Sequence, residues 1–113
     1  MATKEEKREI ARLTELYKSL PPKQFAIAQG LIAEAARLRV RLDKLWEDIA
    51  ENGETELFRQ GSESPYERER PVSRIYTATN KNYQMIIRQL NDMLPDEPAI
   101  VADSKLGSFL DEK

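Results

Sequence analysis

The sequence predicts an all-α protein: a helical hairpin, a third long helix, and a small β-hairpin or loop between helices two and three. Apolar residues recur at steps of three and four through most of residues 3–94, which is the spacing of one face of an α-helix. Pro21-Pro22 and Pro95 interrupt this pattern, and glycine, serine and proline collect between residues 53 and 71. The 113 residues suit one helical domain, 1–95, followed by an acidic tail, 96–113, that we expect to be flexible.

Helix one is predicted from Thr3 to Leu20. Thr3 and Glu6 have the spacing of a capping box, in which each side chain accepts a hydrogen bond from the other residue's backbone N–H. Pro21 and Pro22 end this helix, because the residue before a proline is disfavoured in helical angles. The short joint to the next helix also permits a DNA-reading helix-turn-helix, but the second helix runs well beyond the usual recognition length.

Helix two is predicted from Pro22 to Asn52. Proline suits its first position, and Asn52-Gly53 suits its end, where a left-handed residue is common. At 1.5 Å per residue this helix would be about 46 Å long. A helix of that length with a continuous apolar stripe is expected to need partners along its whole length. The stripe consists of Phe25, Ala28, Leu31, Ile32, Ala35, Leu38, Leu42, Leu45, Trp46 and Ile49.

The next segment, residues 54–71, fits a short β-hairpin with Gly61 in the turn or an ordered loop, with Phe58 and Tyr66 as pinning contacts. Helix three is then predicted from Val72 to Leu94, with Ser73 as a cap and Pro95 as the stop. Its expected apolar face consists of Ile75, Tyr76, Thr79, Tyr83, Ile86, Ile87, Leu90, Met93 and Leu94.

Composition narrows the possible chemistry. The chain has no cysteine and no histidine, which removes thiol nucleophiles, disulfides and the commonest metal ligand. No phosphate-binding loop, cofactor motif or membrane-length apolar run is present, so we expect no enzyme, no cofactor and no membrane partner. An acidic group at Glu47, Asp48, Glu51 and Glu54 offers magnesium ligands, but such groups are usually solvated helix faces, and we assign no metal site.

Two basic arrangements are candidates for contact with DNA phosphates. Arg74, Lys81 and Arg88 are spaced by seven residues and form one line opposite the apolar face of helix three. Arg37, Arg41 and Lys44 lie within about 60° of one another on helix two, at 100° per residue. Residues 1–91 carry a net charge of +2 and residues 92–113 carry −4, a balance that also fits an ordinary solvated surface with an acidic end.

Several strings resemble the small terminase subunits of tailed phages and prophages, and together they cover nearly all of residues 5–95. They are Leu20-Pro21, Ala28-x-Gly30-Leu31-Ile32, Ala35-Ala36, Leu45 to Gly53, Gln60-Gly61, Ser64-Pro65 and Ile75-Tyr76-x-x-x-Asn80-Lys81-Asn82-Tyr83-x-x-x-Ile87-x-Gln89-Leu90-x-x-Met93-Leu94-Pro95. The resemblance does not extend beyond Pro95. The helix-turn-helix that some relatives use to read a packaging site is not evident, so backbone contact is expected rather than base recognition.

The resemblance implies a non-enzymatic DNA-packaging factor in the host cell cytoplasm. Such a protein assembles into a homo-oligomeric ring, engages double-stranded viral DNA, and recruits or regulates the large terminase subunit. We expect the ring interface to use Leu31, Leu38, Leu42, Trp46, Tyr76, Tyr83 and Ile87. We expect Ile100, Leu106, Phe109 and Leu110 of the tail to dock to a partner. The alternatives are a helical adaptor or scaffold that makes only protein contacts, and a magnesium-dependent nuclease.

Overall fold

A computed structural model of the chain describes residues 2–95. The described elements are α1 (Lys4–Tyr17), α2 (Pro22–Asn52), β1 (Thr55–Phe58), β2 (Tyr66–Glu69) and α3 (Pro71–Asp92). The prediction of three helices is confirmed, and the two strands show that the segment between α2 and α3 is a β-hairpin. No helix within residues 2–95 is long and apolar enough to cross a membrane.

The ends of α1 and α2 follow local sequence signals. The backbone N–H of Glu6 donates to the Thr3 hydroxyl, and the Thr3 N–H donates to the Glu6 carboxylate, both at 3.1 Å, so the capping box is confirmed. Helix α2 has the predicted bounds. The backbone N–H of Gly53, the residue after the helix, donates to the Ile49 carbonyl in its last turn. Gly53 has φ +82° and ψ 178°, a backbone conformation that is essentially restricted to glycine.

The long apolar stripe of α2 is covered largely by the chain itself, because α1 and α3 both pack along it. Helix α1 runs back along α2, so that its N-terminal residues lie beside Arg37 and Arg41. Helix α3 also runs antiparallel to α2: Tyr76 contacts Trp46, and Tyr83 lies under Arg39. Helices α1 and α3 of the same chain are therefore the partners for most of the α2 stripe.

The core lies where the three helices meet. Ala28, Ala35 and Ala36 of α2 have no exposed surface, and such small side chains let neighbouring helices approach closely. Larger side chains fill the space around them, and the Tyr17 hydroxyl donates to the Asn91 side chain at 2.6 Å, joining α1 to α3. The core cluster consists of Leu13, Tyr17, Leu20, Ala28, Ile32, Ala35, Leu42, Tyr83 and Leu90.

Side-chain contacts on one face of the β-hairpin join its two strands. Phe58 pairs with Tyr66 across the strands with ring centroids 5.8 Å apart, so the expected pinning contact is present. The Arg68 guanidinium lies 3.5 Å above the Phe58 ring and donates to the Glu56 carboxylate at 2.9 Å. Leu57, on the opposite face, is 74 % exposed.

Two expectations about α3 need correction. Ser73 is the third residue of the helix and does not cap it; its hydroxyl instead donates to the Glu54 carboxylate at 3.3 Å. Ile75, expected on the apolar face, is 40 % exposed. Both differences arise because α3 begins at Pro71 and its buried face centres on Val72, Thr79, Tyr83 and Leu90.

Candidate nucleic-acid interface

The basic line of α3 lies on the outside of the molecule, as its spacing predicted. Arg74, Lys81 and Arg88 are all exposed. Successive members are about 10 Å apart along the helix axis, at seven residues of 1.5 Å rise. The three cations therefore lie along one exposed face at roughly even steps.

The members of this line differ in their acidic neighbours. Arg74 donates to the Glu69 carboxylate at 3.2 Å, although its side chain is 82 % exposed. Within residues 2–95, Lys81 and Arg88 make no ion pair. Of the three, Lys81 and Arg88 are the better placed to bind an external anion, since neither makes an ion pair within residues 2–95.

The basic group on α2 is also exposed, but acidic residues surround it. Arg37, Arg41 and Lys44 border a depression that also contains Thr3 and Glu6 from the N-terminus of α1. Arg37 donates to the Glu34 carboxylate at 2.6 Å. These acidic neighbours reduce the attraction of the α2 group for phosphate, so it ranks second to the α3 line.

A groove of mixed polar and apolar lining lies between α2 and α3, beside both basic arrangements. Glu34 and Leu38 border the depression beside Arg37 and Arg41, and they also line a groove against Asn82, Met85, Ile86 and Gln89 of α3. Met85 is 48 % exposed, and it lies one helical turn from both Lys81 and Arg88. Met85 was not predicted from the sequence as part of this surface, although its spacing from the two cations could have placed it beside them.

A second feature that the sequence did not indicate joins all three helices. The Arg39 guanidinium lies 5.1 Å from the centre of the Tyr83 ring and donates to Asp43 at 3.1 Å. Burial acts to lower the pKa of Arg39, but Asp43 and Tyr83 raise it above its usual value. The pKa of Arg12 is raised by its hydrogen bond to Glu9 and, more weakly, by Tyr83. These cations are already matched by acids and serve to pack the helices.

The residues expected at a ring interface fall into three groups. Leu42 has no exposed surface and Tyr83 is 8 % exposed, so both belong to the core of the single chain. Leu31, Leu38, Tyr76 and Ile87 are half-buried. Trp46 is 52 % exposed beside Tyr76, with ring centroids 5.7 Å apart. Trp46 is therefore the member of this set with the most surface left for a partner.

The remaining expectations concern the acidic group and the tail. Asp48 accepts hydrogen bonds from Arg70 and Asn52, and Glu54 accepts one from Ser73, so these carboxylates make contacts within the fold. No group of three or more acidic side chains in the described domain is arranged to hold a metal ion. Ile100, Leu106, Phe109 and Leu110 lie outside the described residues.

Comparisons with known proteins give no further assignment: no family model, characterised protein or solved structure matches this chain.

Proposed function

We propose that this chain is the small terminase subunit of a tailed phage or prophage, a non-catalytic, oligomeric factor that binds viral DNA in the host cytoplasm. The observation that carries the DNA-binding role is the exposed line on α3, in which Lys81 and Arg88 have no acidic partner within residues 2–95. The resemblance of residues 5–95 to small terminase subunits adds the packaging role.

In this proposal, Arg74, Lys81 and Arg88 bind phosphates of the duplex backbone. A line about 21 Å long spans the axial rise of roughly six base pairs, at 1.5 Å per helical residue and 3.4 Å per base pair. Each neutralised phosphate releases condensed counterions, so affinity depends on salt and not on base sequence. Arg37, Arg41 and Lys44 are the second candidates for such contacts.

Assembly into a ring would multiply the number of phosphate contacts that a single chain can make. A ring would repeat the α3 line once per subunit. Several weak binding sites in one assembly bind DNA more tightly than each does alone. Trp46 is the expected subunit-contact residue with the most exposed surface. The candidate partner-docking residues of the tail are Ile100, Leu106, Phe109 and Leu110.

The DNA-binding role is tested by the salt dependence of binding to a duplex, measured by fluorescence anisotropy. The double variant K81A/R88A should reduce the slope of log affinity against log salt by about 2 for each subunit that contacts the duplex, since each lost phosphate contact removes about 0.9. The control is K18A/K23A, which removes the same charge from exposed lysines at the joint between α1 and α2. An unchanged slope in K81A/R88A would show that the α3 line does not bind DNA.

The ring is tested by light scattering during size exclusion of the purified chain. A single discrete mass of many subunits would support it. A monomer or dimer at all concentrations would contradict it.

The second candidate is a helical adaptor that makes only protein contacts. It is favoured by the exposed side chains of Trp46, Leu57 and Met85, which are large apolar groups on the surface of a single chain. An adaptor would not retard duplex DNA at moderate salt in a gel-shift assay, whereas the proposed packaging factor would.

A further inference from the structure

The groove between α2 and α3 combines three apolar side chains with the polar side chains of Glu34, Asn82 and Gln89, and cations lie on both sides of it. Leu38, Met85 and Ile86 provide its apolar side chains, with Met85 48 % exposed. Lys81 and Arg88 lie one turn to either side of Met85 on α3, and Arg37 and Arg41 lie next to Leu38 on α2. A fitting occupant would carry apolar side chains within an acidic segment.

We propose that residues 96–113 of the same chain dock on this groove and cover the basic line of α3. The inference rests on the proposed DNA-binding role, because its consequence is that the tail competes with DNA for Lys81 and Arg88. The tail would thus be a built-in regulator of the DNA-binding surface.

The sequence of residues 96–113 complements the groove in charge and in apolar content. This segment has five acidic and two basic side chains, a net charge of −3. Glu34 lines the groove and pairs with Arg37, so the cations beside the groove that make no ion pair within residues 2–95 are Arg41, Lys81 and Arg88. Leu106, Phe109 and Leu110 follow one another at steps of three and one, so within one helical turn they share a face. Asp111 and Glu112 come directly after them and would lie beside the flanking cations.

Residues 96–113 begin near the groove and are long enough to reach it. The segment leaves the domain after Pro95, at the end of the helix that carries Met85. Met85 lies about 15 Å back along the helix from that point, at 1.5 Å per residue. Phe109 is fourteen residues beyond Pro95, and an extended chain of that length reaches about 46 Å, at 3.3 Å per residue. The chain can therefore turn back to the groove without strain.

The absence of native cysteine permits a direct test in the full chain. The variant M85C/F109C should form a disulfide within one chain under mild oxidation, measured by mass and by migration on a non-reducing gel. The matched control is Q84C/F109C, since Gln84 is exposed, is next in the chain, and lies about 100° around the helix from Met85. Docking should make the 85–109 bond form about tenfold faster than the 84–109 bond, because it raises the local concentration of the two thiols.

Equal rates for the two pairs would overturn the proposal, since they would show no preference of the tail for the groove. A cross-link that forms mainly between two chains, seen by mixing isotopically labelled and unlabelled protein, would overturn it as well. In that case the occupant of the groove would be a second copy.

The effect on DNA is tested with the tail variant D103N/D111N/E112Q, which should bind duplex DNA several-fold more tightly than the unaltered chain at low salt. The control is E47Q/E51Q/E63Q, which removes the same charge from exposed residues that make no ion pair within residues 2–95. Equal gains in the two variants would overturn the competition, because net charge alone would explain them. If no form of the chain binds DNA, the proposed function fails, while the disulfide rates still decide whether the tail occupies the groove.

Discussion

Arg70 donates one hydrogen bond to the Asp48 carboxylate at 2.9 Å and another to the Gly53 carbonyl at 2.6 Å. These bonds join the residue that precedes α3 to the last turn of α2 and to the glycine that ends it. The backbone N–H of Arg70 also donates to the Glu54 carbonyl at 2.8 Å. This single residue thus closes the base of the β-hairpin and sets where α3 begins against α2.

Removal of the Arg70 side chain should destabilise the fold. In R70A we expect a loss of about 1 kcal/mol from the hydrogen bond to the Gly53 carbonyl, in addition to the loss of the ion pair. R70K should recover only part of the stability, because an ammonium group does not reproduce the forked geometry of the guanidinium. Urea denaturation measures both, with K18A as a control whose ion pair to Glu15 is fully on the surface. An R70A variant as stable as K18A would contradict this role.

Asp48 should make stability depend on pH in the acid range. Hydrogen bonds from Asn52 and then from Arg70 lower the pKa of its carboxyl in the folded chain. The folded state therefore favours the ionised form, and this stabilisation is present above the unfolded pKa near 3.9 and lost as pH falls through the lower folded pKa. In thermal melts, the stability difference between the unaltered chain and D48N should be constant at neutral pH and shrink below about pH 4. If the stability difference between the two proteins grows as the pH falls, the ionised form of Asp48 does not stabilise the fold.

Leu42 and Trp46 should behave differently despite their shared stripe. L42A should lower the unfolding free energy by about 2–5 kcal/mol, because it leaves a cavity in a core with no exposed surface at that position. W46A should cost only about 1 kcal/mol from its ring contact with Tyr76, while reducing the native mass if Trp46 lies between subunits. Denaturation and light scattering on the same samples separate the two effects. A variant L42A that changes mass without changing stability would contradict its place in the core.

Alanine substitutions at Gly30 and Gly53 should change the stability of the fold in opposite directions. An added Cβ would meet nothing within 4 Å at either position, so the backbone alone decides the outcome. Gly30 lies within α2, and G30A should stabilise the chain by about 0.5–1 kcal/mol. At Gly53, with φ +82°, G53A should destabilise it by about 1–3 kcal/mol. Melting temperatures that move in the same direction would contradict this account of the α2 end.

The sequence by itself determined where the helices lie and that the basic line of α3 faces outward. The Thr3–Glu6 capping box, the prolines at positions 21, 22 and 95, and Gly53 act on the backbone within a few residues, so their effect can be read locally. The 100° step of a helix likewise placed Arg74, Lys81 and Arg88 on the exposed face. It left residues 54–71 undecided between a β-hairpin and an ordered loop, because β-pairing depends on contacts across the hairpin.

Only the tertiary structure decided which apolar residues the chain buries for itself. The sequence treated Leu42, Trp46 and Tyr83 alike, as parts of stripes that other subunits would cover. Because α1 and α3 both pack on α2, Leu42 and Tyr83 are enclosed, and Trp46 remains half-exposed. The ion pair between Arg74 of α3 and Glu69 of β2, and the groove beside Met85, likewise depend on how the elements pack. Helical spacing fixes the direction of a side chain around its own axis, but not which other element lies in that direction.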